Sequence, residues 1–178
     1  MTGTTLDFKD FVFDVQDYPT PGVRFRDITP LLSDPRCFHG ALDRMSAWAR
    51  GLGGGGIDVV AGVDARGFIF GGALAAELGC GFVPLRKKGK LPRERLSTEV
   101  HSEYSTETLE VHSDAFRPGA RVLFHDDVIA LGNCSSGAVA MLERLGGVVV
   151  GACFLVELTA LGGRAKLDGH DTFSLIQY

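Results

Sequence analysis

The stretch Val122–Val139, VLFHDDVIALGNCSSGAV, decides the fold. It reads as a strand that ends in Asp126 and Asp127, crosses a turn at Gly132 and enters a helix. Working outward, the runs IDVVAGV (57–63), CGFVPLR (80–86), RVLFHDD (121–127) and VVVGACFLVEL (148–158) are short, partly β-branched and almost continuously apolar. Strands covered on both faces read this way, so a parallel sheet is expected, closed by a last strand at TFSLI (172–176). Helical patterns lie between them: PRCFHGALDRMSAWAR, which Asp34 can cap, GFIFGGALAAELG, which closes on Gly79, and SSGAVAMLERLGG, which closes on Gly146 and Gly147. Strands alternating with helices predict an open α/β sheet, whose ligands gather at the carboxyl ends of the strands.

Two segments break the alternation. DYPTPGVRFRDITPLL (17–32) is punctuated by Pro19, Pro21, Gly22 and Pro30, and KKGKLPRERLSTEVHSEYSTE (87–107) is polar and long. Long irregular segments are often lids or binding loops, and both are expected to cover a site. The glycine run GLGGGG (51–56) has the spacing of a dinucleotide fingerprint but precedes a strand instead of following one, so it reads as a flexible connection.

At 178 residues, with 45% hydrophobic and 22% charged content, the chain suits one domain with a proper core. A net charge of −4 and a pI near 5.7 give no broad attraction for nucleic acid or an anionic membrane. A phosphate-bearing partner would be a small molecule met by local basic groups. Cys37, Cys80, Cys134 and Cys153 form no C-x-x-C pair, and MTGTTLDFKD lacks the features of a secretory signal, so a reduced, cytoplasmic setting is expected. The same reasoning makes the NCS sequon at Asn133 a chance match. No apolar run approaches the roughly 20 residues that span a bilayer.

Three strand ends carry groups suited to anions. After the acids, the turn Ala130, Leu131, Gly132, Asn133, Cys134 and Ser135 opens a helix whose free N–H groups and positive dipole end can hold a phosphate. Asp126 and Asp127 beside it suit sugar hydroxyls, directly or through hydrated magnesium. A second turn offers Asp64, Ala65, Arg66 and Gly67, with Arg66 as a forked, permanent cation. A third strand end carries Arg86, Lys87, Lys88 and Lys90. Each has a plain structural alternative: an N-cap, a surface salt bridge, a solvated basic face. Their convergence at the rim of one sheet favours a site. The histidines have no metal-ligand spacing; His125 reads as a buried strand residue and Glu103 as an exposed loop acid.

Taken together, YPTPGVRFRDITPLL, GVDARGFIFG, RKKGKLP, SEY, LVELTALGGRAKL and FSLIQY resemble, in order and spacing, the blocks of the adenine phosphoribosyltransferases from about Asp17 to Tyr178. The resemblance implies a type I phosphoribosyltransferase fold, with a mainly parallel sheet, flanking helices and a small hood from about 17–32. It implies a homodimer, Mg2+ carried mainly by the pyrophosphate donor, and transfer of a phosphosugar to N9 of adenine. It also implies roles for residues: Phe25 stacks on the purine, with the Arg26 backbone and Leu158 completing the base pocket. Asp64, Ala65 and Arg66 bind pyrophosphate, Arg86 and Lys90 help to neutralise it, and Asp126 and Asp127 hold the ring hydroxyls. Glu103 manages the base proton from a mobile loop of about 87–107, next to Tyr104.

The family reads A-T-G-G-T after the acids, whereas this chain reads ALGNC, with Leu131, Asn133 and Cys134 for threonine, glycine and threonine. A hydrogen bond to a charged group is worth roughly 1.5–3 kcal/mol, so each lost hydroxyl contact would weaken phosphate binding about ten to over a hundredfold. Ser105 and Arg93 also stand at usual glycine positions. The default donor is phosphoribosyl pyrophosphate. A modified donor, such as a ketohexose (allulose or psicose) 6-phosphate 2-pyrophosphate used in nucleoside antibiotic synthesis, is the alternative prompted by the altered turn. A non-catalytic purine nucleotide sensor is the rival of another class, and a different purine acceptor is the weakest reading.

Overall fold

Valine-rich runs become the strands of a sheet in the computed structural model, which describes residues 6–101 and 106–178. The chain divides into two compact units, 1–44 and 45–178, and the division falls within a long helix.

The first unit holds a 3-10 turn (Phe8–Phe11), two short strands, β1 (Phe13–Gln16) and β2 (Arg24–Asp27), a short helix α1 (Thr29–Ser33) and the start of α2 (Pro35–Arg50). β1 and β2 are antiparallel, with Val15 opposite Phe25. Their connection is closed by Asp17, which has a φ of 55° and whose carboxylate accepts the Gly22 N–H at 2.7 Å. Asp34 caps α2 as expected, accepting from the Arg36 and Cys37 N–H groups at 2.8 and 3.3 Å. Segment 17–32 is therefore partly ordered into strand and helix, not a single irregular loop.

The second unit is built on a seven-stranded sheet. Its elements are β3 (Val59–Val63), α3 (Gly67–Leu78), β4 (Gly81–Lys87), β5 (Arg95–His101), β6 (Thr106–His112), β7 (Arg121–Ile129), α4 (Asn133–Arg144), β8 (Val148–Glu157) and β9 (Thr172–Gln177). The spatial order is β5-β6-β4-β3-β7-β8-β9. β4, β3, β7, β8 and β9 run parallel, while β6 pairs antiparallel with both β4 and β5. From β3 the chain crosses through α3 to β4 on one side; from β7 it crosses through α4 to β8 on the other. The strand order reverses between β3 and β7, the place where open α/β sheets form a crevice.

Successive strand residues face opposite ways, and β7 shows what each face meets. Phe124 joins the core with Ala138, Met141 and Leu142 of α4. His125 faces α3, where a Cβ added to Gly71 would lie 3.6 Å from its ring. The helices thus cover both faces, which is why β3, β7 and β8 read as near-continuous apolar runs.

Three expectations are corrected. Within segment 87–107, residues 95–101 and 106–107 are strand: β5 alternates as LSTEV, with Val100 buried, and an antiparallel edge strand exposed on one face carries too many polar residues to read as an apolar run. β7 continues two residues beyond the acids, pairing with β8 as far as Ile129 and Glu157. The glycine run before β3 is pinned, since the Arg121 guanidinium donates to the Gly56 carbonyl at 2.8 Å and to that of Gly53.

Candidate active site

β7 follows β3 only from Val122 opposite Val59 to His125 opposite Gly62. By that register Asp126 is level with Val63, the last residue of β3, and Asp127 lies past it, at the edge of the crevice. β3 stops at Val63 because the chain turns through Asp64, Ala65 and Arg66 into α3. The Asp64 N–H donates to the Leu85 carbonyl at 2.9 Å, anchoring the turn to β4. The Asp64 carboxylate accepts from Arg86 Nε at 2.9 Å, and the Arg86 guanidinium lies 5.7 Å from the Phe68 ring centre.

The two turns meet. Arg66 Nε donates to the Asp127 carboxylate, and a Cβ added to Gly67 would stand 3.0 Å from Asp126 Oδ1. Between them opens a cavity of about 460 Å³, lined by Asp64, Ala65, Arg66, Asp126, Asp127 and Cys134 together with Val63, Lys87, Glu107 and Leu109. That volume suits a small molecule.

The electrostatics are divided. Removal from water, then the neighbouring Asp127, push the Asp126 carboxyl well above the usual carboxylate range. The buried Asp127 carboxylate is the one that faces Arg66. Burial depresses the His125 ring to about 4, so it is neutral at physiological pH. Burial first, then Asp126, push the Cys134 thiol to about 12.

α4 opens at Gly132, which has a φ of 75° and gives no side-chain cap. The first N–H groups of a helix have no intrahelical partner, and the first bond here runs from the Ser136 N–H to the Gly132 carbonyl at 2.9 Å. The turn is locked against the segment after β8. A Cβ on Gly132 would lie 2.3 Å from the Gly163 carbonyl oxygen, and one on Gly163 would lie 2.2 Å from that of Ala130. The Leu158 N–H, just beyond β8, donates to the Ile129 carbonyl at 2.9 Å.

Of the residues singled out from sequence, Asp64, Ala65, Arg66, Asp126, Asp127 and Cys134 share the cavity. Arg86 is tied to it through Asp64. Ala130, Leu131, Gly132, Asn133 and Ser135 form the turn and first residues of α4. Lys90 is exposed in the turn after β4 and does not line the cavity. Lys87 does, paired with Glu107 at 2.9 Å. Lys87 belonged to the basic cluster already noted; Glu107 was hidden because its segment read as loop. Phe25 and Arg26 lie in the first unit, where Phe25 meets Tyr18 edge to face at 5.2 Å and Arg26 contacts Asp14. Glu103 and Tyr104 lie outside the described residues.

Fold and site define an α/β protein with a switch-point crevice, an acid pair and basic turns, suited to an anionic small molecule carrying hydroxyls. Residues 34–176 match the phosphoribosyl transferase domain family. The chain is 50% identical over 166 residues to the adenine phosphoribosyltransferase of Parvibaculum lavamentivorans, with 93% of each chain covered. The adenine phosphoribosyltransferase structure from Rhodothermus marinus has a TM-score of 0.89 at 44% identity, covering 96% of each chain. The enzyme from Saccharomyces cerevisiae, solved with an imino-altritol bisphosphate and adenine, has a TM-score of 0.88 at 33% identity, covering 94% of this chain and 96% of that one. The chain belongs to the phosphoribosyltransferase family, among the adenine phosphoribosyltransferases.

Proposed function

We propose that the chain transfers the phosphoribosyl group of phosphoribosyl pyrophosphate to N9 of adenine, releasing pyrophosphate, as a step of purine salvage. The observation that carries this reading is the meeting of the Asp64–Arg66 turn with Asp126 and Asp127 around one cavity. The relatives favour this reaction over the ketohexose-donor and sensor readings.

In this reading Arg66 and the amides of its turn bind the pyrophosphate, with Arg86 held in reach by Asp64 and with Lys87 and Lys90 adding positive charge. Asp126 and Asp127 accept hydrogen bonds from the ribose hydroxyls. The amides of Asn133, Cys134 and Ser135 hold the 5′-phosphate. Phe25 gives the purine a ring face, the Arg26 backbone reads its edge, and Leu158 supplies an apolar contact. Glu103, with Tyr104 beside it, handles the base proton.

The demanding event is loss of pyrophosphate, which leaves positive charge on the sugar ring. Fixed cations at the leaving group and carboxylates near the ring stabilise this charge separation more than they stabilise the bound substrates. Asp126 and Asp127 offer hard oxygen donors, which fit a Mg2+ ion that keeps several waters and rides on the donor's phosphates. Bound there, the ion would neutralise charge on the departing pyrophosphate.

A homodimer belongs to the same reading through the family resemblance, as does treatment of the two units as one catalytic domain. A cytoplasmic setting is supported by Cys37, Cys80, Cys134 and Cys153, all free thiols. Among the described residues no helix is long and apolar enough to cross a membrane. The test is incubation with adenine, Mg2+ and phosphoribosyl pyrophosphate, with AMP and pyrophosphate followed chromatographically. Stoichiometric formation of both is expected, and their absence at full adenine recovery would overturn the proposal.

A further inference from the structure

We infer that Lys166, held at the start of α4 by Asn133, is a further phosphate-binding residue of this site, one that supplies charge to a turn in which Leu131 and Cys134 replace the family's two threonines. The inference rests on the reading above and deepens it. Lys166 belongs to the 3-10 turn Gly163–Leu167 that follows β8. That turn is fixed at both ends: Gly163 is in backbone contact with Ala130 and Gly132, and Leu167 is buried in the core that includes Ala138 and Met141 of α4. From it the Lys166 ammonium reaches the Asn133 side-chain carbonyl and donates to it.

The placement is electrostatically one-sided. Asn133 is the first residue of α4, and a helix N-terminus carries partial positive charge, which disfavours a cation and favours an anion. Lys166 nonetheless stands there, exposed, and pairs with no carboxylate among the described residues. An ammonium has three donors, and Asn133 takes one. The remaining donors, added to the helix-end amides, form a centre of positive potential suited to a phosphate dianion.

Of the side chains of the turn only Ser135 offers a hydroxyl, and none carries charge. Leu131 offers only carbon, and the Cys134 thiol, neutral through burial, is a weak donor. Asn133 has no charge, but its carbonyl oxygen orients a residue that does. The substitution that adds bulk to the turn is therefore also the one that recruits a cation to it.

The test compares the full-length protein with Lys166→Gln and Lys166→Arg. Steady-state assays give KM for phosphoribosyl pyrophosphate and for adenine, calorimetry gives the dissociation constant of AMP, and thermal unfolding is recorded for each. For Lys166→Gln, KM for the donor and the AMP dissociation constant are expected to rise about tenfold, the effect of losing one charged hydrogen bond. KM for adenine and the unfolding midpoint stay unchanged, the rise shrinks at high salt, and Lys166→Arg recovers most of the loss. Donor and AMP affinities that stay at parental values in Lys166→Gln overturn the assignment. So does a parallel rise in KM for adenine with a lowered unfolding midpoint in both variants, which would make Lys166 a structural tether. A parental protein that binds neither AMP nor the donor removes the functional reading itself, and this assignment with it.

Discussion

Cys134 lines the cavity as a thiol that stays protonated at neutral pH. In the proposed reading it is the residue at the start of α4 whose contact with the phosphate is most easily improved. A hydroxyl in its place would be a stronger donor of nearly the same size, and a hydrogen bond to a charged group contributes roughly 1.5–3 kcal/mol. Cys134→Thr is therefore expected to lower KM for phosphoribosyl pyrophosphate by about tenfold, with KM for adenine unaltered. Steady-state kinetics with each substrate varied in turn checks this, and an unchanged donor KM would mean that this side chain does not face the phosphate. At the same scale, the acid pair was legible because two adjacent carboxylates on an apolar strand demand an explanation. The unequal state of the two was not legible. Asp127 accepts a hydrogen bond from Arg66 Nε while burial and Asp127 push Asp126 up, and the first of these depends on a contact between residues 61 positions apart.

Among the elements, the turn before α4 and the 3-10 turn after β8 behave as one piece, because Gly132 and Gly163 bring their backbones closer than any side chain allows. Gly163→Ala would place a methyl 2.2 Å from the Ala130 carbonyl oxygen, a backbone atom with no rotamer to yield. Such overpacking costs about 3 kcal/mol, which for a chain of this size lowers the unfolding midpoint by roughly 6–12 °C. Calorimetric unfolding measures the drop, and a midpoint within about 2 °C of the parent would show that the turns separate freely. The sequence carried no sign of this contact, since a glycine spared for close approach looks like a glycine spared for a turn. Parallel strands and the helices between them were legible for the opposite reason. Residues 60–63 of β3 and 151–157 of β8 are buried whichever face they take, so consecutive positions carry the signal. β5 has one wet face, and its alternation was diluted by charged and hydroxyl residues such as Arg95, Ser97 and Glu99.

Across the whole molecule, His125 gives stability a marked acid dependence. The ring is completely buried, and its pKa falls from 6.5 to about 4 in the fold. The unfolded chain takes up a proton below about 6.5 while the folded one resists until about 4, so stability falls as pH drops through that window and levels off below it. At about 1.4 kcal/mol per tenfold change in proton affinity, the loss is about 3 kcal/mol. Asp126 works with the opposite sign, because its raised pKa makes acidification down to the ordinary carboxylate range favourable. The difference between the parent and His125→Leu isolates the histidine. Urea unfolding at several pH values from 7 to 4 is expected to show the parent losing about 3 kcal/mol more than the variant, and parallel profiles would refute the assignment.

The reversal of strand order between β3 and β7 also has an evolutionary side. The Asp64–Arg66 turn returns its chain to one half of the sheet, whereas the turn at Gly132 and the segment carrying Leu158 both belong to the other. Sequence drift on the α4 side is thus felt by the residues after β8, through Gly163 and Lys166, before it is felt at Arg66. In the proposed reading, handling of the leaving group and recognition of the sugar end thus rest on different halves of the sheet. That separation lets a chain rewrite three of five residues at one rim while the opposite rim keeps its wording.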